Sequence, residues 1–256
     1  MKISIIIPAH NEEKRIGRTL ERYSLFFKRK KKEKEIDFEI LVVLNACTDD
    51  TLKVVEGYAK KFKEIVYLDL EKGGKGYAII EGFKDALKRD NDLIGFVDAD
   101  MATSPESFYD LVKQINNYGG IIASRYVKGS VVRPKQSIGR IIASRIYNML
   151  IRFLFLLPYR DTQCGAKLFK RKALEKSLPN IGMTKWAFDL DLIYNVRKQE
   201  FAIKEVPTVW SDKEYSTINF AKAGPWMALA VIRLRILNSP MKRFIRVYDK
   251  IISLLR

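Results

Sequence analysis

Only two cysteines and one histidine occur in the 256 residues. Cys47 and Cys164 lack CxxC or any other metal-ligand spacing, and are read as reduced thiols of a cytosolic protein. His10 alone excludes a His-rich metal site and argues against a Ser-His-Asp triad. No N-x-S/T sequon, internal repeat or low-complexity tract is present. The apolar run after Lys2 ends at Pro8, too short for a signal peptide's core. No run of about 18 uncharged apolar residues exists, so no transmembrane helix is expected. The strongest apolar run, Phe153–Leu157, is bracketed by Arg152 and Arg160.

Acids are missing locally. Residues 119–160 hold eight Lys/Arg and no Asp or Glu, and residues 219–256 hold eight Lys/Arg and one acid, Asp249. These two segments carry nearly all of the net charge of +17. A localised excess of this kind calls for an anionic partner, either a nucleic acid or a lipid headgroup surface. The cluster KRKKKEK at 28–34 is diluted by neighbouring acids and reads as a solvated helix end.

The rest is well supplied for a core, at 47% hydrophobic residues. KISIIIP (2–8), FEILVVL (38–44), IVYLDL (65–70), LIGFV (93–97) and GGIIASR (119–125) are short apolar runs suited to strands buried on both faces. Helices are expected between them. One covers about 12–32, capped by Asn11 with Glu12 and Glu13 in its first turn, and one about 50–62, capped by Thr48 or Asp49. A third covers 77–88 after GGKG, and a fourth follows Ser104-Pro105. This rhythm predicts an α/β, three-layer sandwich with right-handed crossovers. Ligands then bind at the carboxyl ends of the strands, where Asn11, Asn45, Lys75 and Asp98–Asp100 should converge.

Beyond residue 125 the pattern becomes helical. Apolar residues from Ile138 to Leu157 recur at helical spacing over 136–157, with Arg140 and Ser144 four apart on one face. DTQCGAKLFKR (161–171) reads as loop then strand, 184–198 as a helix, and 203–210 as a late strand. Pro225 and Ser239-Pro240 are each expected to open a basic amphipathic helix, about 225–237 and 240–255. The expected division is a domain over 1–217 and C-terminal basic helices over 218–256, which either lie on a membrane surface or pack on protein.

Asp98 and Asp100 end a buried strand. Paired carboxylates there repel unless a cation is present, and Mg²⁺ favours a few carboxylate oxygens with phosphates and water. GGKG (73–76) lacks Walker A spacing, yet it suits phosphates near a helix N-terminus, with Lys75 as a point charge.

Taken together, PAHNEE (8–13), GGKGYAI (73–79), VDADMAT (97–103), ASRY (123–126), DTQCGAKLF (161–169) and WAFDLDL (186–192) resemble the inverting family 2 glycosyltransferases. Within these they look more like dolichyl-phosphate β-glucosyltransferases and other polyisoprenyl-phosphate glycosyltransferases. The resemblance covers about residues 1–217. It implies the glycosyltransferase A fold, with a mixed, mainly parallel sheet and amphipathic membrane-interface helices. It also implies roles. Pro8, Ala9, Asn11, Glu12, Asn45, Lys75, Asp98, Ala99 and Asp100 line the nucleotide-sugar pocket, with Asp98 and Asp100 at the metal. Arg125, Arg140 and Ser144 hold the acceptor phosphate, and Asp189 stands on the acceptor side. Asp100, Arg125, Arg140 and Asp189 form the catalytic set.

Two departures bear on the donor. Asn45 stands where the family usually has an Asp, which weakens the preference for uridine. Ala102 stands where some mannose-using relatives have Gln, which favours glucose. The resemblance therefore implies Mg²⁺- or Mn²⁺-dependent transfer of a hexose from a nucleotide sugar, UDP-glucose favoured, to polyprenyl or dolichyl phosphate. The product would be β-linked. The enzyme is expected as a peripheral protein at the cytoplasmic face of an anionic membrane, with no nucleic-acid partner. The alternatives are a GDP-mannose-dependent dolichyl-phosphate mannosyltransferase and, in another class, a nucleic-acid- or membrane-binding non-enzyme.

Overall fold

The computed structural model describes residues 1–134, 137–182, 186–211 and 220–254. The first half alternates strictly: β1 (Lys2–Ala9), α1 (Ile16–Lys32), β2 (Asp37–Asn45), α2 (Thr51–Lys61), β3 (Ile65–Leu70), α3 (Lys75–Leu87), β4 (Leu93–Val97), α4 (Pro105–Gln114) and β5 (Gly120–Ser124). The second half continues with β6 (Val131–Arg133), α5 (Ile138–Phe155), β7 (Ala166–Lys170), α6 (Arg171–Ser177), α7 (Phe188–Lys198), β8 (Ile203–Pro207), β9 (Val209–Ser211), α8 (Phe220–Leu237) and α9 (Ile245–Ser253).

Seven strands form one sheet in the order β3-β2-β1-β4-β7-β5-β8. Only β7 runs against the rest, pairing antiparallel with β4 and β5. The carboxyl ends of six strands thus share one edge, and the loop entering β7 arrives at that same edge. The chain turns back across β1 between β3 and β4, which makes the β1/β4 junction the switch point where such sheets bind ligands.

Side chains alternate across the sheet, as the period of a strand requires. Ile3, Ile5, Ile7, Phe38, Ile40, Val42, Leu93 and Val97 face α1, α2 and α4 in one core. Ile6, Leu41, Val43, Ile94 and Phe96 face a second core that includes residues of α3, α5, α6, α7 and α8. This is the expected three-layer sandwich. Ser104 caps α4 through the Ser107 amide, with Pro105 at the first helical position, as expected.

Helix α2 begins at Thr51 with Asp50 at the N-cap position and no side-chain cap, so neither Thr48 nor Asp49 caps it, although Asp49 Oδ1 accepts from the Thr51 amide at 3.0 Å. The ends of elements depart from expectation in four further places. First, α1 begins at Ile16 rather than 12, and Asn11 does not cap it. Asn11 lies in the left-handed region (φ 54), and its Oδ1 accepts from the Thr48 amide, tying the β1 and β2 loops together. Glu12 and Glu13 therefore precede the helix. Second, the late strand splits: β8 joins the main sheet, and β9 pairs with β6 in a separate two-stranded sheet. Third, Pro225 lies inside α8 rather than at its start, and Met227, Val231 and Leu234 of that helix are buried in the second core. Fourth, Ser239-Pro240 opens a short 3₁₀ turn, Pro240–Phe244, before α9. The cluster at 28–34 is a salt-bridged helix end: Lys28, Lys30 and Lys31 pair with Glu64, Glu33 and Asp37.

Candidate active site

The loops after β1, β2 and β3 are tied to one another. Asn45 is buried; its Oδ1 accepts from the Gly74 amide at 2.6 Å and its Nδ2 donates to the Ala9 carbonyl at 3.3 Å. A residue expected to meet a base thus also brackets the GGKG loop against β1. The Glu12 amide donates to Thr51 Oγ1, and the Glu12 carboxylate pairs with Arg15 at 2.6 and 2.8 Å.

Asp98 and Asp100 leave β4 at the switch point. Helix α1 supports their loop from beneath: Thr19 Oγ1 donates to the Ala99 carbonyl, and the Tyr23 hydroxyl to the Thr103 carbonyl. Asp98 forms a close ion pair with Lys75, the first residue of α3. Asp100 accepts from the Ala102 amide at 2.8 Å. Burial, and after it the charge of Asp98, raise the Asp100 carboxyl above its ordinary range. Glu12 is also raised, by burial and by the fields of Asp100 and Asp98, against the opposing pull of Arg15. The charges of Asp98, Asp189 and Asp100 hold the Lys75 ammonium well above its usual value.

Three acids share one field here, and a tethered cation already sits on one of them. That is an environment a divalent cation fits. No cluster of three or more His, Cys, Asp or Glu in metal-holding geometry occurs among the described residues. Asp98 and Asp100 could therefore hold a metal only in company with ligands from a substrate and water.

The loop entering β7 completes the wall. Register places Ala166 opposite Val97, so Gly165 falls beside Asp98. A Cβ on Gly165 would come within 2.5 Å of Asp98 Cγ, so no larger residue fits without moving the carboxylate. Two residues on, Lys167 is fully buried and pairs with Asp189 at 2.6 Å. Burial pushes the neighbouring Cys164 thiol up to about 12, so it stays a thiol, consistent with two free cysteines.

Arg125 does not stand open toward an acceptor. Its Nε and Nη2 donate to Asp161 at 2.7 and 2.9 Å, and its amide does so at 3.0 Å. The Asp161 side chain is fully buried. The expected phosphate ligand is thus first a brace between β5 and the loop before β7. Arg140 and Ser144 lie on α5, half-buried and buried respectively. Tyr126 carries Arg125 against its ring at 5.3 Å and Arg145 at 5.2 Å. Tyr147, one turn after Ser144, is raised by burial and by the field of Asp189. Asp189 thus acts electrostatically on Lys75 from α3 and Tyr147 from α5, and so links the carboxylate side to the basic side. Sequence reasoning singled out neither Gly165, Asp161 and Lys167 nor Tyr126, Arg145 and Tyr147. The first three lie inside DTQCGAKLF, whose specificity was the available signal.

Comparison with known proteins agrees with this geometry. The family model described as glycosyl transferase family 2 matches residues 4–178. A dolichyl-phosphate beta-glucosyltransferase of Dictyostelium discoideum is 30% identical over 91% of this chain and 73% of its own length. Another from Trichomonas vaginalis is 32% identical over 82% of this chain, which spans 64% of that relative. Among solved structures, glucosyl-3-phosphoglycerate synthase from Mycobacterium tuberculosis with Mn²⁺, UDP and phosphoglyceric acid superposes with a TM-score of 0.68. It is 18% identical and covers 93% of this chain and 78% of that one, a likeness of fold. The sheet is that of the glycosyltransferase A fold, and the chain belongs to glycosyl transferase family 2.

Proposed function

We propose that the protein transfers glucose from UDP-glucose to a polyprenyl or dolichyl phosphate, with inversion to a β-linked product. The observation that carries this reading is the pairing of two half-sites. Asp98, Asp100 and Lys75 lie at the carboxyl edge of the sheet, and Tyr147 of the acid-free helix α5 stands in the field of Asp189, which also acts on Lys75. The dolichyl phosphate and glucosyl group in the relatives' names, and the UDP bound in the solved structure of similar fold, support the same chemistry.

A bound Mg²⁺ or Mn²⁺ would supply positive charge to the donor diphosphate, and Asp98 and Asp100 would hold it. Lys75 then exchanges Asp98 for the diphosphate and stabilises the charge that develops as it leaves. Pro8, Ala9, Asn11, Glu12, Asn45 and Ala99 shape the nucleotide pocket. Arg140 and Ser144 hold the acceptor phosphate, with Arg145 beside them. Arg125 serves this site through its brace to Asp161.

A phosphate monoester has a second pKa of about 6, so near neutral pH it needs no base to become a nucleophile. Its oxygen forms a bond to the anomeric carbon as the carbon–oxygen bond to the diphosphate breaks. The bonding pair leaves with the diphosphate. Asp189 orients a hydroxyl rather than removing a proton.

The lipid acceptor calls for a membrane surface, and two sets of exposed apolar residues support peripheral binding to one. Ile138, Ile142, Ile146, Met149, Phe153 and Leu156 are exposed along α5, with Phe153 at 79% and Leu156 at 87%. Met241, Phe244, Val247, Ile251 and Leu254 are exposed at the C-terminal end, interleaved with Lys242, Arg243, Arg246 and Lys250. No helix among the described residues is long and apolar enough to cross a membrane. Peripheral binding at an anionic cytoplasmic leaflet suits these faces, each basic residue contributing about 1 kcal/mol.

One assay tests the reading. Purified protein is given labelled UDP-glucose, GDP-mannose or UDP-N-acetylglucosamine, with Mg²⁺ or Mn²⁺ and a short dolichyl phosphate. Glucose label is expected in the organic phase. Mannose label instead would reassign the donor, and no transfer from any donor would end the enzymatic reading. Arg140→Ala should chiefly raise KM for the lipid phosphate.

A further inference from the structure

Lys167 is a fully buried lysine in the strand that runs against the others. In register it lies opposite Phe96 on β4 and Ile122 on β5. All three directions around its ammonium are accounted for. It donates to the Cys164 carbonyl at 2.7 Å and to Asp189 Oδ1 at 2.6 Å, and it stands 5.2 Å from the centre of the Phe96 ring.

Burying an ammonium is costly, and an apolar side chain of similar volume often serves a core as well or better. Stability alone therefore does not account for a lysine here. Its partner does. The Asp189 side chain is 20% exposed, so the pair runs from the interior to the wall of the site. Oδ1 is held by Lys167, and Oδ2 has no partner among the described residues. The charge of Asp189 reaches Lys75 of α3 and Tyr147 of α5.

We propose that Lys167 is a positioning residue for sugar transfer. It pins Asp189 through Oδ1 and leaves Oδ2 to accept from a hydroxyl at the wall of the site. This rests on the transfer reading above and adds a residue to it. Lys167 never touches substrate; it acts through Asp189.

The test uses the full chain with Lys167→Met, Asp189→Asn and the double variant; Lys167→Gln, which keeps a donor to Cys164, is the alternative should Lys167→Met not fold. Lys167→Met should lower kcat tenfold or more and leave the affinity for Mn²⁺ and UDP unchanged. The double variant should be no slower than Asp189→Asn, because both changes remove one function. Crystal structures of the unaltered protein and of Lys167→Met supply a readout independent of turnover: without Lys167 the Asp189 carboxylate should leave the position it holds in the unaltered protein. Full kcat in Lys167→Met, or an Asp189 carboxylate that keeps its position, overturns the proposal. If the unaltered protein transfers no sugar, the functional reading fails, and the position of Asp189 alone decides whether Lys167 pins it.

Discussion

Gly165 lies against Asp98 so closely that a Cβ at that position would collide with the carboxylate. Gly165→Ala must push Asp98 away or spread β4 from β7. Overpacking of this kind costs about 1–3 kcal/mol. The larger expected effect is on function: transfer falls at least tenfold and Mn²⁺ binding weakens, read by turnover and by electron paramagnetic resonance of free Mn²⁺. Unchanged metal affinity would show that Asp98 does not hold the metal.

Asp100 yields a prediction with a defined sign. Its carboxyl is raised by burial and by Asp98. A folded value above the unfolded one means that the fold binds the proton more tightly, so metal-free stability falls as pH rises through the shifted value. Asp100→Asn should flatten that slope and raise the metal-free melting temperature at neutral pH, while abolishing transfer. In the unaltered protein, metal affinity should decline on acidification at a higher pH than an ordinary carboxylate would give. Full activity in Asp100→Asn would remove Asp100 from the metal site.

Asp161 carries the opposite sign. Burial would raise it, but Arg125 outweighs burial and holds it below the usual carboxylate range. Its contribution is present above the unfolded pKa and is lost as pH falls through the folded one. Asp161→Asn leaves Arg125 buried without its counter-charge, which costs about 3–5 kcal/mol. Urea unfolding at neutral pH measures this. A loss below about 1 kcal/mol would mean that Arg125 finds another partner and is not a brace.

The proposed membrane face on α5 is testable without disturbing the core, because Phe153 and Leu156, the residue just past the helix, are highly exposed. Phe153→Ser with Leu156→Ser should reduce flotation with phosphatidylserine vesicles severalfold and leave the melting temperature unchanged. Binding should also weaken with added salt. Truncation is informative only beyond Leu237, since removing α8 would strip Met227, Val231 and Leu234 from the second core. Unchanged flotation in the double variant would place membrane contact elsewhere.

Much of the site was legible along the chain because strand ends and chemistry coincide. The strand runs at 2–8, 38–44, 65–70 and 93–97 agree closely with β1 to β4, and Asn11, Asn45, Lys75 and Asp98 lie at or beyond their carboxyl ends. From sequence alone an Asn before Glu-Glu fits a helix cap, and only Thr48, 37 residues away, shows where the Asn11 oxygen goes.

Arg125 shows the same limit. An arginine in an acid-free segment reads as an open cation, but Asp161, 36 residues later, closes on it. No local pattern encodes that pair, because it depends on β7 entering the sheet backwards between β4 and β5.

Local periodicity and β-branched runs by themselves determined the α/β class, the switch-point carboxylates and the basic helices, since strand and helix periods are properties of neighbouring residues. The partners of charged groups were decided only by tertiary structure. A buried charge is stable only beside its counter-charge, and antiparallel β7 is what brings Gly165 to Asp98, Asp161 to Arg125 and Lys167 to Asp189.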